Sequence, residues 1–263
     1  MIKFLVLGCC VYILILLLAY LFQDKLMFFP HKFDRDFDYN LSVNASELFL
    51  KTGDNETINC IYATRAENKN VVLYFHGNAT SLNSWKEVAD AILPKGANLL
   101  MIDYRGYGKS TGTISEKGFY EDAETAYQFL VANGYKNENI FFYGRSLGSG
   151  VAVNLAVQHQ VKGLILESPY TSVLDVAKSH RPYLLPDLIL KYNFNSLQKA
   201  AKVKMPVLIF HGTIDQTIPV AQGKKLAAAM AGKTQLVIIE NGNHSNLSTF
   251  DDYENALTEF LSK

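Results

Sequence analysis

Ile140-Phe141-Phe142-Tyr143-Gly144-Arg145-Ser146-Leu147-Gly148 is an apolar run that ends in G-x-S-x-G. Small residues follow at once, in Gly150-Val151-Ala152-Val153-Asn154-Leu155-Ala156-Val157. This order predicts a strand, a tight turn and a helix, which is the setting of a nucleophile elbow. In such a turn the serine sits on strained backbone, and flanking glycines let neighbouring chain approach until the hydroxyl is exposed. Ordinary turns also contain G-x-S-x-G, so the motif gains weight only from its flanks and from partners elsewhere in the chain.

Outward from the elbow, strands and helices alternate. Residues 71–75 read as a strand, 84–92 as a helix, 99–102 as a strand and 116–131 as a helix. After the elbow, 163–166 and 207–210 read as strands, 220–231 as a helix, 236–239 as a strand and 250–261 as a closing helix. Earlier in the chain, 47–51 and 57–62 flank the turn signal Gly53-Asp54-Asn55, and together they predict an antiparallel hairpin. A hairpin followed by repeated βα units predicts an α/β protein. Its sheet should be mostly parallel, doubly wound and eight-stranded, with helices on both faces.

A chain of 263 residues, 49% hydrophobic, suits one large domain with a sizeable core. Its 25 basic and 25 acidic residues balance, which leaves no electrostatic case for a nucleic-acid partner. Cys9 and Cys10 lie in the apolar N-terminus, so Cys60 is alone in the body and no disulfide framework is expected. Cys60 reads as a small buried hydrophobe. No His/Cys/Asp/Glu cluster has metal-ligand spacing and no G-x-G-x-x-G follows a strand, so no metal or nucleotide cofactor is expected. Nothing in the sequence sets an oligomeric state.

Residues 1–23 are expected to be a membrane anchor. Between Ile2 and Phe22 the only charge is Lys3, and about 20 apolar residues cross a bilayer core. Ala19-Tyr20-Leu21-Phe22-Gln23-Asp24 is a poor cleavage site, which favours an uncleaved anchor over a signal peptide. Cys9 or Cys10 could carry an acyl group, although two apolar cysteines in a membrane helix is the plainer reading. Positive residues on both flanks leave the orientation weakly specified. Asn78 and Asn243, which fall in motifs described below, also begin N-x-S/T patterns, and a glycan there would obstruct a pocket. Residues 24–45 form a juxtamembrane segment, in which Phe28 and Phe29 are expected to lie at the bilayer interface. Residues 46–263 form the folded domain, with a short cap-like insertion over 172–205.

In an open parallel sheet, ligands bind beyond the carboxyl ends of the strands. His76-Gly77-Asn78-Ala79, Asp103-Tyr104-Arg105-Gly106-Tyr107-Gly108, Ser146 and Glu167-Ser168-Pro169 all follow predicted strands. So do His211-Gly212-Thr213-Ile214-Asp215 and Asn243-His244-Ser245. Ser, Asp and His thus occur in the chain order of a nucleophile, an orienting acid and a base. Ser146 needs an imidazole to take its proton, and His244 is the candidate. Asp215 is the candidate for holding that imidazole in the required tautomer. The backbone N–H of Leu147 is one candidate oxyanion donor, and the N–H of Asn78, ahead of that of Ala79, is the candidate for the second. Glu167 ranks below Asp215 as the acid. Asp103, Arg105 and His76 are expected to brace loops, and His159 and His180 carry no motif.

The chain resembles the α/β-hydrolases. It is similar to their Bem46-like branch and to the branch of alpha/beta hydrolase domain-containing proteins 13 and 17, which are membrane-anchored serine hydrolases. The matching stretches are those around His76, Asp103, Ser146, Glu167, Asp215 and His244, and they span nearly everything after the anchor. The resemblance implies hydrolysis of carboxylic esters or thioesters through an acyl-enzyme, on small-molecule or acylated substrates. A peptidase of the same fold and a non-catalytic hydrolase-like binding protein are the alternatives. The insertion contains Pro182-Tyr183-Leu184-Leu185-Pro186-Asp187-Leu188-Ile189-Leu190, which would line an acyl pocket, face the membrane or pack on the sheet.

Overall fold

In the structure, a computed structural model, residues 2–42 and 44–263 are described. Met1 of the expected anchor and Val43 of the expected juxtamembrane segment lie outside the described residues. Helix α1, Ile2–Leu21, has a mean hydropathy of 2.8 and none of its described residues is buried. By length and composition it can cross a membrane. A short turn, α2 (Gln23–Met27), follows it.

The predicted hairpin forms as β1 (Ala45–Lys51) and β2 (Thr57–Ala63), antiparallel, with Leu48 opposite Cys60. Then come β3 (Asn70–Phe75), α3 (Trp85–Ile92), β4 (Ala97–Asp103), α4 (Glu116–Ala132), β5 (Ile140–Arg145), α5 (Leu147–Gln158) and β6 (Gly163–Glu167). The insertion carries α6 (Val173–His180), α7 (Pro186–Ile189) and α8 (Ser196–Ala200). The chain closes with β7 (Val207–Gly212), α9 (Val220–Ala229), β8 (Thr234–Ile239) and α10 (Asp251–Ser262). The eight strands form one sheet in the order β1-β2-β4-β3-β5-β6-β7-β8. From β4 onward neighbours run parallel, so the loops after β3 to β8 gather at one edge.

Every residue of β4 is buried, because a parallel sheet is covered on both faces. One apolar layer joins the sheet to α4, α5 and α9 through Phe119, Val151 and Leu226. The opposite layer holds Trp85 of α3 and Leu257 of α10. Helix α4 starts where Ser115 Oγ accepts the Gly118 N–H at 3.0 Å, a cap that satisfies one of the unpaired donors of a helix start. Helix α9 ends at Ala229, two residues short of the sequence expectation. Met230 turns to extended backbone to bury its side chain, and the Gly232 N–H donates to Val203 O instead of continuing the helix.

The expected interfacial pair Phe28-Phe29 splits. Phe29 is exposed, but Phe28 is buried, edge-on to Tyr192 at 4.9 Å and to Phe119 at 5.8 Å. An aromatic ring that finds core partners is worth more inside than at a surface. Arg105 ties the loop after β4 to its surroundings. Its backbone N–H donates to Asp122 at 2.8 Å, and its guanidinium reaches Asp122 and Asp54 at 2.8 and 2.7 Å. Burial pushes the Asp122 carboxyl up to about 6 against the opposing pull of that guanidinium.

Candidate active site

Ser146 stands between β5 and α5 with φ 50° and ψ −117°, a left-handed conformation that costs a non-glycine residue about 1–3 kcal/mol. The surroundings hold it there. The Ser146 N–H donates to Glu167 O at 2.8 Å, and the Ser149 N–H donates to Ser146 O at 2.9 Å. The flanking glycines are a packing requirement. A Cβ on Gly148 would run into the carbonyl of Phe75, and one on Gly144 would run into the backbone of Gly148. Gly148→Ala is therefore expected to destabilise the protein by about 3 kcal/mol, because backbone cannot yield as a side chain does. Urea unfolding checks this; a variant within about 0.5 kcal/mol of the parent would contradict it.

Two loops converge on Ser146. The loop after β8 places His244 Nε2 at 2.9 Å from Ser146 Oγ. The loop after β7 places Asp215 Oδ2 at 2.8 Å from His244 Nδ1. Each partner is itself held. The N–H groups of Thr217 and Ile218 donate to Asp215 Oδ1 at 2.9 and 2.8 Å. The His244 loop is closed by Asn243 Oδ1, which accepts from Ser245 and Asn246, and by Asn246 Oδ1, which accepts from Asn243. His211 Nε2 donates to Ile218 O at 2.8 Å and lies 3.5 Å from Asp215 Oδ2. Burial works to raise the Asp215 pKa, but the hydrogen bonds from His211, His244 and Ile218 outweigh it. The carboxyl is thereby held well below the usual carboxylate range. An imidazole poised between a hydroxyl and such a carboxylate can take a proton at Nε2 while Nδ1–H donates to the acid.

Leu147 opens α5, so its N–H has no intrahelical acceptor. The loop after β3 brings Gly77 against Ser146, where an added Cβ would sit 3.6 Å from Ser146 Cβ. Next to it, Asn78 is fixed by its side chain. Its Oδ1 accepts from Tyr107 Oη at 2.9 Å and from the Phe29 N–H at 3.3 Å, while its Nδ2 donates to Met27 O at 2.5 Å. His76 braces the same loop. Its Nδ1 donates to Gly77 O at 2.7 Å, and its Nε2 lies 3.1 Å from Asp103 Oδ1. Burial raises the Asp103 pKa against the pull of His76 and the Leu82 N–H.

Glu167 turns away from His244. It pairs with Arg145 Nε at 3.0 Å and accepts the hydroxyls of Tyr143 and Tyr253. His159 pairs with Glu124 at 2.7 Å, away from the cluster. Ser146, Leu147 and Asn78 line one cavity of about 570 Å³. Its other walls are mostly apolar, with Val173 and Val176 from α6, Ile189 from α7, and Leu26 and Phe28 from the N-terminal side.

A sequence model of the alpha/beta hydrolase fold matches residues 70–202. Human alpha/beta hydrolase domain-containing protein 17B is 31% identical over 84% of this chain and 76% of its own length. The chain belongs to the α/β-hydrolase family. An uncharacterised protein of Mycobacterium tuberculosis is 35% identical over 68% of this chain. That match spans 64% of the mycobacterial protein's own length. Among solved structures, an esterase from Pyrococcus furiosus superposes with a TM-score of 0.72 at 20% identity, covering 89% of this chain and 96% of its own. That likeness establishes the fold.

In this α/β-hydrolase, the sequence reading reached only part of the cavity wall. Val173 and Val176 lie outside every motif and outside the apolar 182–190 stretch, and no spacing signals which apolar side chains of an insertion turn inward. His180 also borders the cavity, with its Nε2 donating to Thr217 O at 2.8 Å. The insertion's apolar stretch divides. Leu184, Ile189 and Leu190 face the cavity, whereas Tyr183 and Leu188 are exposed. His211 had a signal, since it opens the same five-residue motif that ends in Asp215.

Proposed function

We propose that the protein is a serine hydrolase that cleaves carboxylic esters or thioesters carrying an apolar acyl group. The observation that carries this reading is the unbroken hydrogen-bonded chain Asp215–His244–Ser146, whose Ser146 end lines a mostly apolar cavity. A cavity of about 570 Å³ lies within the range of small-molecule sites, roughly 300–1,000 Å³. Ser146 Oγ attacks the acyl carbonyl carbon as His244 Nε2 takes its proton, and the Leu147 and Asn78 N–H groups receive the oxyanion. The alkoxide or thiolate leaves with the proton from His244. Water then attacks the acyl-enzyme with His244 again as base, releasing the acid and restoring Ser146. Asp215 remains ionised throughout and stabilises the imidazolium.

Helix α1 acts in this proposal as a membrane anchor, supported by its length, its apolarity and the absence of burial among its described residues. Detergent-solubilised full-length protein is expected to label with a fluorophosphonate probe and to hydrolyse esters and thioesters in preference to peptides. A folded protein that neither labels nor turns over any ester would sink the proposal.

A further inference from the structure

We infer that the turn between α1 and the body is a specificity-determining wall of the acyl site, in which Gln23 and Ala19 set which acyl chains reach Ser146. This rests on reading Ser146 as the nucleophile of a hydrolase for acyl substrates.

Gln23 lies two residues past the end of a helix that would cross a membrane, a place where a polar amide would ordinarily be solvated. Here it is only 4% exposed. A buried amide is costly unless both of its ends are paired. Both are, and both partners belong to the insertion. Gln23 Nε2 donates to Ile189 O at 2.9 Å, and the Lys191 N–H donates to Gln23 Oε1 at 2.7 Å. Tyr192 Oη adds a bond to Asp24 Oδ1 at 2.6 Å, and Phe28 packs edge-on against the Tyr192 ring. One end of the turn is thus clamped to the cap.

The other end is fastened to the loop after β3. Asn78 Nδ2 donates to Met27 O, and the Phe29 N–H donates to Asn78 Oδ1. A seven-residue stretch from Gln23 to Phe29 therefore joins the cap over the cavity to the loop beside Ser146. Ala19, Gln23, Leu26, Met27 and Phe28 all line that cavity. Ala19 belongs to the last turn of α1, so the helix itself closes one side of the site. Its small side chain leaves space that a larger one would occupy. Gln23, by contrast, fixes how far the cap stands from the turn.

The test compares wild type, Ala19→Trp and Gln23→Ala as full-length proteins in detergent. Each is assayed on p-nitrophenyl esters from acetate to palmitate, with fluorophosphonate labelling to report the Ser146 site. Filling the cavity with Ala19→Trp should raise the acetate-to-palmitate ratio of kcat/KM about fourfold for each methylene displaced, hence roughly 60-fold for three. Gln23→Ala should raise KM for the long esters more than for the short ones. Unchanged chain-length profiles in labelled variants would overturn the inference and leave the hydrolase reading standing. So would an equal loss on all esters, or loss of labelling in both variants, because either result marks a merely structural role. A wild type that does not label overturns the hydrolase reading and this inference with it.

Discussion

Ser146→Ala is expected to lower ester hydrolysis by about 10⁵- to 10⁶-fold and to abolish fluorophosphonate labelling, while the protein stays folded. The size of the effect follows from the geometry. His244 Nε2 faces one hydroxyl, that of Ser146, at 2.9 Å. Once that oxygen is removed, the imidazole has nothing to activate for attack except water. Residual turnover would come from binding and from the Leu147 and Asn78 donors alone. Folding should change by no more than about 1 kcal/mol, because Ala meets the same strain at φ 50° that Ser already bears. Its backbone bonds to Glu167 and Ser149 do not involve the hydroxyl. Steady-state kinetics on a short ester, with urea unfolding as control, measures both effects. Activity within tenfold of wild type would remove Ser146 from the chemistry.

Asp215→Asn is expected to cost about 10⁴-fold in kcat with little change in KM. An amide nitrogen placed at the Oδ2 position would donate toward His244 Nδ1. The proton would then sit on Nε2, where the base must be free to accept one from Ser146. The substitution also carries a signature in stability. The Asp215 pKa is depressed in the folded protein, so the native state binds fewer protons than the unfolded chain through the acid range. The stabilisation from its hydrogen bonds is complete above the unfolded carboxyl's pKa of about 3.9 and is lost as the pH falls below it. The difference in unfolding free energy between wild type and Asp215→Asn should therefore be level above about pH 5 and shrink toward pH 3. A difference that grows on acidification would contradict the assigned sign.

Much of the architecture was legible because it is periodic. Apolar runs such as 71–75, 99–102 and 140–143 are too short for helices and too continuous for half-exposed strands, which leaves buried parallel strands. The structure places each of them in the middle of the sheet. The meeting of Ser146, Asp215 and His244 was legible for a different reason. A parallel sheet puts the carboxyl ends of its strands along one edge, so residues far apart in the chain but alike in position after a strand are brought together. Ser146 and His244 stand 98 positions apart in sequence and 2.9 Å apart in space.

By itself, the sequence determined the fold class and which side chains, Asp215 and His244, would come together with Ser146, because each rests on local pattern or on strand order. Tertiary structure alone decided what surrounds them. Phe28 reads as an interfacial aromatic until Tyr192 and Phe119 provide a pocket for it. Gln23 reads as the polar end of an apolar helix until the backbone of Ile189 and Lys191 closes on both ends of its amide. Glu167 follows a strand just as Asp215 does, yet it is spent on Arg145, Tyr143 and Tyr253. In each case the deciding contact joins residues with no fixed spacing between them. Such a contact follows from how elements pack, and local pattern carries no record of packing partners.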